Sequence, residues 1–271
     1  MTGTESAADG IDTSRPHPAR VYDWYLGGKD NYPVDERLGQ QITARDPGAK
    51  RAARSNRWFM QRATRHLVRT AGIRQFLDIG TGIPTEPNLH QIAQSTAPDA
   101  RVVYVDNDPI VLAHAGALLR GTDEGVTEYV HADVREPRKI LDEAARVLDL
   151  DRPVALSLIA LMHFVADDSG AYELVGTLVD ALAPGSFLSL SAMTADFEPE
   201  EVRRGIEAYA RGGVTLVGRS HAEVSRFFEG LDLVEPGVVS VKDWRPELAE
   251  GETPVGDEPV SLYGGVGLKS R

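Results

Sequence analysis

The sequence predicts an α/β protein with a Rossmann-like, doubly wound, mostly parallel seven-stranded sheet, an antiparallel C-terminal strand and an N-terminal helical cap. Three observations carry that expectation. Short apolar runs alternate with helix-length stretches between residues 75 and 192, the pattern of parallel strands joined by crossover helices. The runs are nearly continuous in apolar residues, as in strands covered by helices on both faces. The first run, Gln75 to Ile79, enters a turn pinched by Gly80 and Gly82, and the second, Arg101 to Asp106, ends in an acid. That is the layout of a nucleotide-type cofactor site at the mouth of a parallel sheet.

Taken in order, residues 1–18 are polar, end in Arg15-Pro-His-Pro18 and read as a flexible arm. Residues 19–72 form the cap. Its aromatic segment, Val21 to Tyr32, is a short helix broken at Gly27-Gly28, and a longer helix over 48–70 carries Trp58, Phe59, Ala63, His66 and Leu67 near a helical spacing. The core spans 73–271. Strands are expected at 75–79, 101–106, 126–131, 153–160 and 186–192, with helices at 86–96, 109–120, 137–148 and 169–182. Asp108-Pro109 supplies an N-cap with proline at the first helical position, and Pro137 and Pro199 open helices in the same way. Further helices cover 200–211 and 220–228, the latter started by the capping box Ser220-His-Ala-Glu223. The last two strands, 231–239 and 262–268, suggest an antiparallel hairpin at the sheet edge, joined through a surface loop at 242–258.

Composition removes several function classes. The 271 residues carry a formal net charge of −12, which disfavours general nucleic-acid binding, since that relies on Lys and Arg neutralising phosphates. The dense basic stretch, Lys50-Arg-Ala-Ala-Arg54 with Arg57, Arg62 and Arg65, reads as a solvated helix face. There is no cysteine, so disulfides, cysteine-based metal sites and cysteine nucleophiles are excluded, and no metal is expected. The N-terminus lacks the basic and apolar regions of a signal peptide, and the apolar run 154–165 is too short to span a bilayer. A cytoplasmic protein without a membrane partner is the expectation, and its oligomeric state is left open.

The glycine turn has two chemical owners. A dinucleotide fold needs a third glycine where this chain has Thr85, and Asp78 would lie close to the pyrophosphate and repel it. A ligand carrying an ammonium and a sulfonium gains from that same charge. Leu77-Asp78-Ile79-Gly80-Thr81-Gly82 resembles the first motif of the class I S-adenosylmethionine-dependent methyltransferases, with Pro84 where that family usually has its third glycine. Across the whole chain, His17-Pro-Ala-Arg-Val-Tyr-Asp-Trp-Tyr-Leu-Gly-Gly-Lys-Asp-Asn31 and Arg54-Ser-Asn-Arg-Trp-Phe59 resemble a bacterial family of expected methyltransferases catalogued as domain of unknown function 574.

The resemblance implies S-adenosyl-L-methionine as cofactor and assigns roles to residues. Asp78, Gly80, Thr81 and Gly82 form the cofactor turn. Asp106 accepts hydrogen bonds from the ribose hydroxyls, for which a carboxylate with two acceptor oxygens is suited. Asn107 neighbours the adenine, and Asp133 with Val134, after the third strand, meets its amino group; an acid there also fits a simple turn. Ala160 lies in the segment Ile159-Ala-Leu-Met-His-Phe164, which lines the methyl-transfer pocket.

Residue chemistry adds three candidates. His163 is the titratable group placed to act as a base, or else a structurally hydrogen-bonded histidine. Arg57 is placed to pair with the methionine carboxylate, or else is solvated. Asn31, in the Lys29-Asp-Asn31 stretch after the double glycine, is a candidate lid residue over the cofactor. Tyr22, Trp24, Tyr25 and Tyr32 either line a substrate pocket or pack the cap onto the core.

The leading function is methyl transfer to a small-molecule acceptor. A protein that binds S-adenosylmethionine without turnover and, less favoured, a nicotinamide-dependent oxidoreductase are the alternatives.

Overall fold

Every residue of β1 (Gln75–Ile79) is buried, and this strand takes the middle of the sheet. The computed structural model describes residues 12–111, 121–253 and 256–271. In chain order, α1 (Pro18–Leu26), α2 (Pro33–Thr43) and α3 (Ala49–Arg69) precede β1. Then come α4 (Leu89–Thr96), β2 (Arg101–Asp106), β3 (Val126–His131), α5 (Pro137–Ala144), β4 (Ala155–Ile159), α6 (Ala171–Asp180) and β5 (Phe187–Met193). The chain closes with α7 (Pro199–Arg211), α8 (His221–Arg226), β6 (Asp232–Leu233), β7 (Val239–Ser240) and β8 (Leu262–Leu268). The helix expected at 109–120 starts at Pro109, where the Asp108 carboxylate accepts from Ile110 N–H at 3.1 Å; residues 112–120 lie outside the described residues.

The sheet runs β3-β2-β1-β4-β5-β8-β6, with β7 also paired to β8. The first five strands are parallel, and β8 is antiparallel to β5, β6 and β7. β6 and β7 pair with opposite ends of the same side of β8, so they act as one interrupted strand and seven strand positions result. The expected C-terminal hairpin exists, but β8 is not its outer member. It inserts between β5 and β6, and its two-sided burial explains why only its last residue is less than fully buried.

Alternation along the strands divides the core. Leu77, Ile79, Val103, Val105, Leu156 and Leu158 face one helical layer with α5 and α6. Phe76, Val102 and Tyr104 face the other, where α3 contributes Phe59, Met60, Ala63 and Leu67. α3 therefore packs on the sheet itself, whereas α1 and α2 form a third cluster with α7 through Val21, Tyr25, Leu38, Ile42, Ala208 and Tyr209. α2 is missing from the expectations above, although Pro33 at its start and Asp35 and Glu36 in its first turn are helix-opening signals.

Lys50 and Arg54 of the basic stretch are exposed, but its other arginines do not form a solvated face. Arg62 donates to Glu252 at 2.5 Å and to the Val241 carbonyl at 2.6 Å, Arg65 pairs with Glu250 at 3.2 Å, and Arg51 pairs with Glu258. These arginines bind Val241, Glu250, Glu252 and Glu258 to the helix, partners that lie far along the chain.

Candidate active site

The strand order reverses between β1 and β4. In open α/β sheets this switch point leaves a crevice beyond the strand ends, because the two connections leave in opposite directions. Here it opens into a cavity of about 480 Å³. Its lining includes Asp78, Gly80, Thr81, Gly82, Asp106, Asn107, Asp133, Val134, Ala160, Arg57 and His163. Residues scattered over more than a hundred positions are thus brought to one wall.

Asp78 sits on the α3 side of β1, opposite Ser157 of β4. Its carboxylate accepts from Thr81 Oγ1 at 2.9 Å. Burial pushes the Asp78 carboxyl above its ordinary range, and the hydroxyls of Ser157 and Thr81 and the Arg57 charge oppose that rise. Asp106 ends β2, with Gly82 N–H donating to one carboxylate oxygen at 2.8 Å and Asp108 N–H to the other at 2.9 Å. Burial raises its pKa too, against those hydrogen bonds. Asn107 Nδ2 donates to Asp133 at 2.8 Å, and Arg135 N–H donates to the same carboxylate at 2.9 Å.

The turn is shaped by close approach. Gly80 has φ +73°, and a Cβ there would lie 2.7 Å from Leu161 Cδ1, so only glycine lets the loop after β4 close against it. Ala160 itself adopts φ +54°, a strained conformation for a residue with a side chain, and its N–H donates to Ser191 Oγ at 2.9 Å. Pro84 finds its explanation in α4, which starts at Leu89. The chain from 83 to 88 is an irregular, bent loop outside any helix, where the missing N–H of residue 84 breaks no helical hydrogen bond. Arg57 Nη2 donates to the Thr85 and Pro87 carbonyls of that loop. Its Nε is buried without a partner, while the residue itself lines the cavity.

Two expected residues fall differently. Asn31 does not line the cavity. Gly27 ends α1 in the left-handed region, and the following loop folds back so that Asn31 Nδ2 donates to Asp23 at 2.7 Å and to the Gly28 carbonyl at 3.1 Å. His163 lines the cavity, but its Nδ1 accepts from Met193 N–H at 3.3 Å. An Nδ1 that accepts carries no proton, so the neutral ring is the Nε2–H tautomer, a donor. Burial and the Arg219 charge push its pKa down to about 3. Both facts weigh against a base and favour a hydrogen-bond donor.

The roof contains residues that the sequence did not mark as site residues. Pro16, His17, Pro18 and Ala19 line the cavity at the start of α1. His17 Nδ1 accepts from Ala19 N–H at 3.3 Å as the cap of α1, and Arg20 Nε lies 3.2 Å from Asp108, the residue that also braces Asp106, so the roof is latched by Arg20 beside the end of β2. Tyr22 joins roof to floor through a relay. Its OH donates to the Ala53 carbonyl, Asn56 Nδ2 donates to it at 3.1 Å, and Ser191 Oγ donates to Asn56 at 2.5 Å. Tyr25, Ile42, Asp46, Phe164 and Tyr209 line the part of the cavity under α2 and α7. The aromatic spacing flagged Tyr22 and Tyr25, but nothing local marked Asp46 or Tyr209. Arg219, fully buried, donates to the Met162 and Val165 carbonyls at 2.7 Å each and to Asp167 at 2.6 Å, fixing the loop that carries His163.

Among the described residues no cluster of three or more His, Asp or Glu is placed to hold a metal ion, and no helix is long and apolar enough to cross a membrane.

A model of the S-adenosyl methyltransferase family matches residues 4–270. Among solved structures, a DUF574 family protein from Streptomyces avermitilis is 51% identical, with 96% of this chain and 99% of that chain covered and a TM-score of 0.91. A protein from Thermobifida fusca with a provisional methyltransferase assignment is 38% identical, covering 99% and 100%, with a TM-score of 0.88. An S-adenosylmethionine-dependent methyltransferase from Anabaena variabilis shares the fold at 12% identity, covering 95% and 97%, with a TM-score of 0.51. No curated protein matches the chain.

Proposed function

The chain belongs to the S-adenosyl methyltransferase family, and on that premise we propose how its cavity divides between S-adenosyl-L-methionine and a small-molecule acceptor. The observation that carries the division is the row of three carboxylates, Asp78, Asp106 and Asp133, at or just beyond the ends of three adjacent parallel strands and open to one cavity. Against them stands the Arg57 guanidinium, which lines the same cavity. A ligand that is cationic in its middle, with a diol at one side and a carboxylate at the other, suits that set.

Asp106 takes the ribose hydroxyls with the lone pairs left over from its two backbone hydrogen bonds. Asn107, Asp133 and Val134 hold the adenine. Asp78 and Thr81 face the ammonium end, the turn at Gly80 and Gly82 lets the backbone approach, and the Arg57 guanidinium meets the carboxylate. Ala160 forms the wall between cofactor and acceptor. When bound, the cofactor supplies a methyl group already activated on a sulfonium. The protein's task is alignment and exclusion of water, and positioning of this kind supplies roughly 7–11 kcal/mol. Residues 19–72 provide the roof, with α3 as the part fixed to the sheet, and residues 73–271 the core. His163 donates from Nε2 to the acceptor and holds it in line. It does not remove a proton.

Thermal unfolding with S-adenosylmethionine, S-adenosylhomocysteine and NAD in turn tests the reading. A ligand at 100 times its dissociation constant adds about 2.7 kcal/mol of stability. Stabilisation by both adenosyl compounds is expected, and stabilisation by NAD alone would refute it. Release of S-adenosylhomocysteine in an acceptor screen then reports turnover.

A further inference from the structure

Of the carboxylates that line the cavity among the described residues, three belong to the cofactor wall and the fourth, Asp46, does not. It lies in the α2–α3 link, under the roof. One of its oxygens accepts from Gly48 N–H at 2.9 Å. Glu198 and Arg51 stand beside it: a methyl group built on Gly48 would be 3.0 Å from Arg51 Nη2, 3.1 Å from Asp46 Oδ1 and 3.5 Å from Glu198 Oε2. Ser261, another lining residue, donates to Glu198 at 2.9 Å. Burial foremost, then the fields of Glu198 and Glu201, push the Asp46 carboxyl up, against the Gly48 hydrogen bond and the Arg51 charge. The cation nearby, Arg51, is shared with Glu258 and the Pro259 carbonyl as well as Glu198. This end of the cavity therefore keeps an excess of negative charge.

A second, independent feature points the same way. Tyr25 and Tyr209 line the cavity and are only 7% and 8% exposed. Their hydroxyls lie 3.4 Å apart, a long contact that uses one of the two phenolic protons at most. Burial keeps both phenols protonated, Tyr209 with a pKa of about 12. Phenolic oxygens therefore face the cavity with acceptor capacity to spare, and the surrounding walls, Ile42, Phe164 and Val202, are apolar or aromatic.

We propose that this end of the cavity recognises an ammonium group on an apolar small-molecule acceptor, with Asp46 as the specificity-determining residue, which rests on the methyl-transfer reading of the same cavity. An ammonium offers three donors. They match the free Asp46 oxygen and the two phenolic oxygens, and the aromatic walls attract the cation further. A neutral hydroxyl can give Asp46 one charge-assisted hydrogen bond but no ion pair, and a carboxylate is repelled.

The test is calorimetric binding of phenethylamine, phenethyl alcohol and phenylacetate to the protein saturated with S-adenosylhomocysteine, for the native chain and for Asp46→Asn. The amide keeps an oxygen for Gly48 N–H, so the link retains its turn. Phenethylamine is expected to bind the native chain at least about tenfold more tightly than either other probe. In Asp46→Asn that preference is expected to fall to about threefold or less, while S-adenosylhomocysteine affinity stays unchanged. Equal affinity for the three probes, no detectable binding of any, or a preference that survives the substitution overturns the inference. Failure of the native chain to bind S-adenosylhomocysteine overturns the methyl-transfer reading instead, so the two failures are distinct.

Discussion

Lowering the pH from 7 to 5 tests the state of one buried ring. His163 is 7% exposed, its Nδ1 is occupied by Met193 N–H, and burial together with the nearby Arg219 guanidinium depresses its pKa from 6.5 to about 3. The folded protein therefore stays neutral at this ring while the unfolded chain takes up a proton as the pH falls through 6.5. Because the unfolded state binds more protons between about 3 and 6.5, stability is fully present above that window and is lost on acidification through it. At pH 5 the unfolded ring lies about 1.5 units below its own pKa, and at 1.36 kcal/mol per unit the loss relative to pH 7 is about 2 kcal/mol. That figure holds as long as the folded value lies below 5. Asp78 and Asp106 act with the opposite sign, because their raised pKa values make the folded state bind protons first. The comparison must therefore be with a variant. In His163→Asn the amide oxygen takes the place of Nδ1 as acceptor for Met193. Urea unfolding at both pH values should show the native chain losing about 2 kcal/mol more than the variant. Equal losses would refute the buried neutral ring and, with it, the donor role.

Asp106→Asn should weaken S-adenosylhomocysteine binding at least about tenfold by calorimetry, because one charged acceptor of the ribose is lost; unchanged affinity would remove Asp106 from the site. Arg219→Ala strips the Met162 and Val165 carbonyls of their partner and should cost about 3 kcal/mol of unfolding free energy. A loss under about 1 kcal/mol would mean that the His163 loop is held by other contacts. Gly80→Ala combines φ +73° with a Cβ 2.7 Å from Leu161 Cδ1 and should cost about 1–3 kcal/mol. Leu161→Ala in the same chain should recover part of that cost, and an undiminished loss would locate the strain in the backbone alone.

Much of the fold was legible because local chemistry and tertiary need coincide. The five parallel strands are apolar runs whose ends match the observed ones within two residues at each boundary. Prolines 109, 137 and 199 mark helix starts by their lack of an N–H. α2 was missed because its signals are polar and its apolar positions few: Leu38 and Ile42 face α1 and α7 in a cluster that has no local counterpart. The arginines of α3 read as solvated because their partners, Glu250 and Glu252, lie far along the chain. The site divides in the same manner. Asp78, Asp106 and Asp133 announce themselves at strand ends, where a parallel sheet exposes its functional residues.

What the sequence determined by itself is the parallel sheet, the glycine turn and the acids proposed for the cofactor, since each follows from short-range patterns repeated at each strand end. The tertiary structure decided the rest. It turned Asn31 away onto Asp23, closed the roof through Arg20 onto Asp108, and placed Met193 N–H against His163 Nδ1. It also brought Asp46, Tyr25 and Tyr209 to one end of the cavity. Those outcomes depend on which groups meet across long separations in chain, and on how deeply each is buried. Neither is encoded in the spacing of residues along a single segment.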